Sequence, residues 1–381
     1  MPTFLEFFAG GGLVRAGLGP GWTCLLANDI DPMKAAAYSL NWGEAEFVLG
    51  DVKAIASDQI PGRADLLWGS FPCQDLSLAG AGRGLAGERS GTFRSLERIV
   101  AQLRAQDRAP PLVCVENVVG LLTSNSGRDF AEVVASFVRL GYRVGAMVID
   151  AARFTPQSRP RLFVVAACGS LAIDDALLDG EGARWWSTPA LERARAQLPD
   201  ESRQRFIRWR LPGPPAPNAR LGDIVEDDPR GVAWHTPEQT QRLLALMAPL
   251  HRTRVEAAKG AGRRMVGGLY RRTRSERDGV SRQRAEVRFD GLAGCLRTPA
   301  GGSSRQTLLV VEGERVRSRL LSPREAARLM GLPDSFRLPA RYNDACHVLG
   351  DGVAAPAVRH LAAHLFEPLL ARAAHGAMAA E

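Results

Sequence analysis

The sequence predicts an α/β protein: a doubly wound sheet followed by a smaller, irregular domain. Three observations predict it. Over the first 170 residues, short apolar runs alternate with amphipathic ones, which is the pattern of strands and covering helices in a doubly wound sheet. Polar residues follow several of the apolar runs directly, at the carboxyl ends where such sheets gather ligands. From about residue 171 to 300 the alternation stops, and Trp185-Trp186, LPGPPAPN and the Arg/Gly-rich GRRMVGGLYRRTRSERDGVSRQR take over.

In chain order the expected strands are TFLEFF, WTCLLAN, EFVLGD, ADLLWGS, PLVCVEN, YRVGAMVID and RLFVVAA. FRSLERIVAQLRAQ and DFAEVVASFVRLGY carry apolar residues at helical spacing and are read as helices between them. Glu6, Asn28, Asp29, Asp51, Pro72, Cys73, Glu116 and Asn117 stand at or after strand ends, which points to one shared crevice. Regularity returns at SPREAARLMGLPDSF, where Ser322 is the expected N-cap, Pro323 the first helical residue and Glu325 the partner in a capping box. The final AAPAVRHLAAHLFEPLLARAA is too apolar to stand alone and is expected to dock on the first domain.

Of the 381 residues, 45% are apolar, enough for an ordinary core. The start MPTFLEFFAGGG lacks a basic leader and no apolar run is long enough to span a bilayer, so a soluble, intracellular protein with no membrane partner is expected. The six cysteines form no CxxC pair and no Cys/His set of zinc spacing. Neither disulfides nor a metal are expected. The net charge is +8, and 46 of the 49 basic residues are arginine, a bias that GC-rich coding alone can produce. Its distribution says more: residues 251–290 hold eleven Arg and one Lys against three Glu and two Asp, a net +7. Such a segment fits contact with nucleic acid, against the plainer reading of a solvated face.

EFFAGGGLVRAGLG reads as strand, glycine turn and helix. It is not a dinucleotide fingerprint, because Arg15 stands where the third glycine would be, and no GK[ST] follows to cradle a triphosphate. Asp29 lies 17 residues after Gly12, where an acid takes a ribose diol, and Asp51 ends the next strand within reach of an adenine amine. The combination suits an adenosine without pyrophosphate, namely S-adenosylmethionine; the alternative is a purely structural tight turn. Cys73 in GSFPCQDLS supplies a thiolate nucleophile and Glu116 an acid, each after its own strand. The pair fits methylation of cytosine carbon 5, with thiolate addition at carbon 6 and a proton at ring nitrogen 3. A cysteine protease would need a histidine base, and none precedes His235. In QSRPR, Arg159 and Arg161 alternate with Ser158 and Pro160, so both are expected on one side; the plainer reading is two surface arginines at a strand edge.

With these residues in view, the chain resembles the DNA (cytosine-5) methyltransferase family. FFAGGG, ANDID, GDV, GSFPCQDLS, ENV, QSRPR, RLLSPREAARLMGLPDSF and GDGVAAPAV resemble its motifs, in its order, across residues 4–165 and about 290–365. The resemblance implies a Rossmann-like S-adenosylmethionine-dependent methyltransferase domain over 1–170 plus 346–381 and a target-recognition domain over 171–345. It makes Cys73 the nucleophile and Glu116 its nitrogen-3 partner, with Arg159 and Arg161 holding the cytosine and the cysteine loop. Phe8, Ala9, Gly10, Gly12, Asp29, Ile30, Asp51, Val52, Pro72, Asp351 and Val353 would line the cofactor. Residues 74–92 would form a mobile loop closing over a flipped base in double-stranded DNA. Gln74, Ser77, Arg89, Arg271, Arg272, Arg274 and Thr298 would contact that DNA. A bacterial cytoplasmic enzyme working on the nucleoid as a monomer, with or without a cognate restriction endonuclease, is the expected setting. One departure stands out: the last motif usually has asparagine where this chain has Asp351. The nearest rival is a tRNA cytosine-5 methyltransferase on the same scaffold. A non-catalytic DNA-binding protein that keeps the fold and an NAD oxidoreductase fit the motifs less well.

Overall fold

The computed structural model describes residues 1–72, 92–178, 185–216, 219–275, 279–299 and 305–378. Two compact units result: Met1–Asp150 with Pro160–Pro214 and Ala357–Glu381, and Ala151–Arg159 with Pro215–Pro356.

The first unit is built on an eight-stranded sheet. Its strands are β1 (Thr3–Phe7), β2 (Thr23–Asp29), β3 (Phe47–Leu49), β4 (Leu66–Gly69), β5 (Leu112–Val118), β6 (Tyr142–Asp150), β7 (Pro160–Cys168) and β8 (Phe206–Ile207). They lie in the order β3-β2-β1-β4-β5-β7-β6-β8. The seven runs expected from the sequence are β1 to β7. The first five run parallel, β7 is antiparallel to both β5 and β6, and β8 runs parallel to β6. Both faces are covered, so the central strands are apolar throughout: Leu66, Leu67 and Trp68, like Leu112 and Val113, are fully buried. From β1 the chain steps outward through β2 and β3, then resumes on the other side with β4. The crevice therefore opens at the carboxyl ends of β1 and β4.

Helices α1 (Leu13–Leu18), α2 (Pro32–Trp42), α3 (Phe93–Ala105) and α4 (Arg128–Arg139) follow from local chemistry. In α4, Phe130, Val133, Val134, Phe137 and Val138 are buried, an apolar stripe at helical spacing. Helix α2 starts where Asp31 accepts from the amides of Met33 and Lys34, with Pro32 at its first position.

The compact units do not follow the boundaries expected at 170/171 and 345/346. Residues 160–214 belong to the first unit because β8 extends its sheet and Trp209, fully buried, packs so closely that a Cβ on Gly145 would stand 2.3 Å from its Nε1. The C-terminal helix segments also pack in this unit: the Phe366 ring lies 6.4 Å from Trp68, and Trp22 Nε1 donates to Glu367 at 2.9 Å. A wide π turn, Ala362–Phe366, precedes Pro368, which has no N–H to continue the α-helical ladder. The histidines are expected to form no HxxxH pair, but His360 and His364 are one, with their rings tilted at 54° and centroids 4.5 Å apart. No group of three or more metal-ligating side chains occurs among the described residues, and no helix there is long and apolar enough to cross a membrane.

The second unit carries an antiparallel sheet of β9 (Met265–Ser275), β10 (Ser281–Arg288), β11 (Thr307–Glu312) and β12 (Arg315–Leu320), in the order β10-β9-β11-β12. Met247, Val255, Ala258, Leu269, Ala285, Val287, Leu309 and Val311 form its core. Helix Pro323–Leu329 begins with the expected capping box: Ser322 Oγ accepts from the Glu325 amide at 3.1 Å, and Glu325 Oε2 accepts from the Ser322 amide at 2.8 Å. Glu325 also pairs with Arg319, both fully buried.

Candidate active site

The site begins with the turn after β1. Phe8, Gly10 and Gly12 all have positive φ, at 60°, 56° and 76°. Glycine relieves the strain at two of these three positions. At Gly12 the reason is also packing, since a Cβ there would stand 2.3 Å from Trp42 Nε1 and 2.9 Å from Tyr38. At Gly10 a Cβ would meet nothing within 4 Å among the described residues, so the backbone there is open toward them. Arg15, in the place of a third glycine, donates to the Tyr38 hydroxyl at 2.8 Å and sits over the Trp42 ring.

Strand β2 brings Asn28 and Asp29 to the same edge. Ala9 N–H donates to the Asn28 carbonyl at 2.9 Å, and Asn28 Nδ2 donates to the carbonyls of Val48 and Gly50, joining β1, β2 and the end of β3. Asp29 Oδ2 accepts from the Gly10 amide at 2.9 Å and Oδ1 from the Asp31 amide at 3.0 Å. Each carboxylate oxygen keeps a further lone pair. Ile30 is 65% exposed, an apolar side chain next to a fixed acid. Asp51 accepts from the Lys53 amide at 2.9 Å, and Val52 is buried behind it. The open backbone at Gly10, the acid at Asp29 and the apolar Ile30 fit an adenosine carrying no pyrophosphate.

Strand β4 and its continuation approach from the other side of the switch. The Ser70 amide donates to the Phe7 carbonyl at 3.3 Å. Phe71 is buried against Phe93, and its carbonyl accepts from Asn117 Nδ2 at 3.2 Å. Pro72 follows, half-buried. Cys73, Gln74, Ser77 and Arg89 lie outside the described residues.

Glu116 lies two residues before the end of β5 and is only 6% exposed. Because β7 runs antiparallel, Val118 faces Arg161 across the ladder and Glu116 faces Phe163, which places Glu116 and Arg161 diagonally on one face. Arg161 Nε lies 3.1 Å from Glu116 Oε1. Arg159 behaves differently from the expected alternation, because β7 starts only at Pro160. Its guanidinium is buried in the second unit and donates to the carbonyls of Leu296, Gly350 and Gly352 and to Cys295 Sγ. Asp351, exposed, and Val353, buried, belong to that unit too, as do Arg271, Arg272, Arg274 and Thr298.

Two residues of the edge have functions that sequence reasoning leaves unassigned. Asn117 pins the chain two residues before Cys73, and its place in ENV is the only sign. Glu6, in β1, is 1% exposed and neither carboxyl oxygen has a hydrogen-bond partner among the described residues. Burial pushes its pKa up to about 8, against the pull of Arg15 and of the Val14 and Arg15 amides, which lie toward it without closing a hydrogen bond. Cys114, beneath Glu116 in β5, has its thiol pushed well up by burial and is chemically quiet.

With the geometry in place, likeness to known proteins bears on the chain as a whole. Type II methyltransferase M.DsaV of Dactylococcopsis salina is 26% identical over 361 residues, 94% of this chain and 84% of that protein. Type II methyltransferase M.NlaX of Neisseria lactamica is 26% identical over 362 residues, covering 94% of each. Among solved structures, S. pombe Dnmt2 methyltransferase superposes with a TM-score of 0.61 at 18% identity, over 97% of this chain and 99% of that one, a likeness of fold. The family model for C-5 cytosine-specific DNA methylase matches residues 2–367, and the chain belongs to that family.

Proposed function

We propose that the protein methylates carbon 5 of a cytosine flipped out of duplex DNA, through a covalent adduct with Cys73. The observation that best supports this is the buried Glu116 paired with the part-buried Arg161 near the carboxyl end of β5. It stands at the same sheet edge as the chain leading through Phe71 and Pro72 to Cys73. The Cys73 thiolate adds to carbon 6 of the ring while Glu116 delivers a proton to nitrogen 3. The carboxylate left behind is matched by Arg161 at 3.1 Å. Carbon 5, now enamine-like, takes the methyl group; water then takes the carbon-5 proton, Cys73 leaves as thiolate, and nitrogen 3 returns its proton to Glu116. S-adenosylmethionine supplies the electrophilic methyl of its sulfonium. Phe8, Ala9, Gly10 and Gly12 would form its cradle, Asp29 would take the ribose hydroxyls, Ile30 the adenine face and Asp51 the adenine amine, with Val52 and Pro72 beside them; Asp351 and Val353 complete the proposed set.

Duplex DNA is the proposed partner, contacted by Arg271, Arg272, Arg274 and Thr298 of the second unit and by Gln74, Ser77 and Arg89. Monomeric action in the bacterial cytoplasm on nucleoid DNA, alone or beside a cognate endonuclease, is part of the same reading. A duplex carrying 5-fluorocytosine tests the chemistry, because fluorine cannot leave as a proton. With cofactor present the protein should become covalently attached, and Cys73→Ala should not. Absence of any adduct on cognate DNA would overturn the mechanism, and methylation of tRNA in place of duplex DNA would overturn the substrate.

A further inference from the structure

Arg159 gathers backbone segments of the second unit that are far apart in sequence. One terminal nitrogen of its guanidinium donates to the Leu296 carbonyl at 2.9 Å. The other donates to the carbonyls of Gly350 and Gly352, at 2.8 and 2.6 Å. The residue is 1% exposed, so these bonds are shielded from water. A guanidinium is planar and rigid, so carbonyls held by its two ends are fixed relative to one another.

Gly350 and Gly352 flank Asp351, the last residue of the helix Tyr342–Asp351. The final carbonyls of a helix have no partner within it, and that end carries partial negative charge. Arg159 supplies donors and a positive charge there. The helix end is also pressed against residues 296–298. A Cβ on Gly350 would stand 2.7 Å from the Arg297 carbonyl carbon and 2.7 Å from the Thr298 amide nitrogen, so only glycine permits the approach. Gln157, fully buried, holds the same segment: its Oε1 accepts from the Leu296 amide at 3.1 Å, and its Nε2 donates to the Leu329 carbonyl at 2.9 Å. Leu296 is thus fixed at its N–H by Gln157 and at its carbonyl by Arg159. Within QSRPR, Gln157 and Arg159 bind the backbone of the second unit, whereas Arg161 pairs with Glu116.

We propose that Arg159 is a positioning residue, whose one guanidinium sets residues 350–352, which include Asp351, at a fixed spacing from residues 296–298, which include Thr298. It serves cofactor binding through Asp351 and DNA binding through Thr298 while touching neither ligand. That role replaces the cytosine contact that the family resemblance implies for it. The proposal rests on the reading that assigns Asp351 to the cofactor and Thr298 to DNA. The two roles of Arg159 differ in what they do without DNA: a residue that holds the cytosine leaves cofactor binding alone, and a residue that sets Asp351 does not.

The experiment titrates S-adenosylmethionine into full-length protein without DNA, well below the Tm of each variant. Arg159→Gln removes the charge and the fork, and should weaken cofactor binding by roughly 10- to 100-fold. Arg159→Lys keeps the charge but offers one nitrogen in place of two, and should recover part of that loss. Gly350→Ala leaves Arg159 intact and forces the two segments apart. It should weaken cofactor binding as well, and it carries the test if Arg159→Gln does not fold. Both Arg159→Gln and Gly350→Ala should also raise the KM for plasmid DNA. Arg319→Ala, which breaks the buried pair with Glu325 in the same unit, should leave the cofactor affinity of the folded protein unchanged. Wild-type cofactor affinity in either folded Arg159→Gln or Gly350→Ala overturns the proposal; joined to a lower kcat in Arg159→Gln, it would return Arg159 to the cytosine. An equal loss of affinity in Arg319→Ala would reduce the effect to general destabilisation and also overturn it. If wild type binds no S-adenosylmethionine, the cofactor reading itself fails, a result visible before any variant is made.

Discussion

Glu6 sets a pH dependence that a single substitution can remove. Its ordinary value is 4.5 and its value in the fold about 8. Between those limits the folded protein holds a proton that the unfolded chain has released. Its contribution is therefore complete below pH 4.5 and is lost as pH rises to about 8, at up to about 1.4 kcal/mol per pH unit. Arg15 and Asp29 are the charged groups that face it. We expect Glu6→Gln to flatten the fall in Tm between pH 5 and 8; a melting series in which both proteins fall in parallel would refute this. Asn117 acts through position. Asn117→Ala should cost about 1 kcal/mol of stability and slow adduct formation with 5-fluorocytosine DNA, while cofactor affinity measured by titration stays near wild type. Asp351→Asn restores the amide usual in the family; methylation should persist with a modest shift in cofactor affinity, and complete loss of binding would contradict it. The placement of Asp29, Asp51 and Glu116 at the carboxyl edge of the sheet was legible because Asp29 ends β2, Asp51 follows β3 and Glu116 lies near the end of β5. Arg159 was not, because alternation starts only where the strand does.

At the level of elements, the strands that carry the site announce themselves by apolar runs and turn residues, and so do the amphipathic helices. Strand β8 does not, since two residues have no period. The β9–β10 ribbon does not either: its outer half carries Arg272, Arg274, Arg282 and Arg284 on one face and Arg271, Thr273, Ser275, Ser281 and Gln283 on the other, so no apolar alternation marks it. Its register is set at the base, by Leu269, Ala285 and Val287. The helix Pro323–Leu329 shows the opposite case, where Ser322, Pro323 and Glu325 spell the start outright. What the sequence does not show is that Glu325 serves a second partner. Arg319 donates to both its oxygens, at 2.8 and 2.6 Å, and all of this is out of water. Removing one member strands a buried charge, so Arg319→Ala should cost about 3–5 kcal/mol in urea unfolding. A loss below about 1 kcal/mol would mean that water reaches the pair.

For the molecule as a whole, the +8 net charge is concentrated almost entirely in residues 251–290. DNA affinity should therefore fall at least about tenfold between roughly 50 and 200 mM salt as counterions are released less favourably, whereas cofactor affinity should barely move; titrations in the same buffers compare them. The unit boundaries were beyond the sequence because compactness depends on packing such as Trp209 on Gly145, which composition does not record. The reversed direction of β7 has a consequence for synthesis of the chain. Strand β7 fills the slot between β5 and β6, so both have an unpaired edge until residues 160–168 have been made. Until then Glu116 also has no Arg161 beside it. A nascent or truncated chain ending near residue 150 would thus present two open strand edges, liable to pair with other chains, together with an acid lacking its counter-charge. The same late-arriving strand fills the gap in the sheet and brings Arg161 beside Glu116.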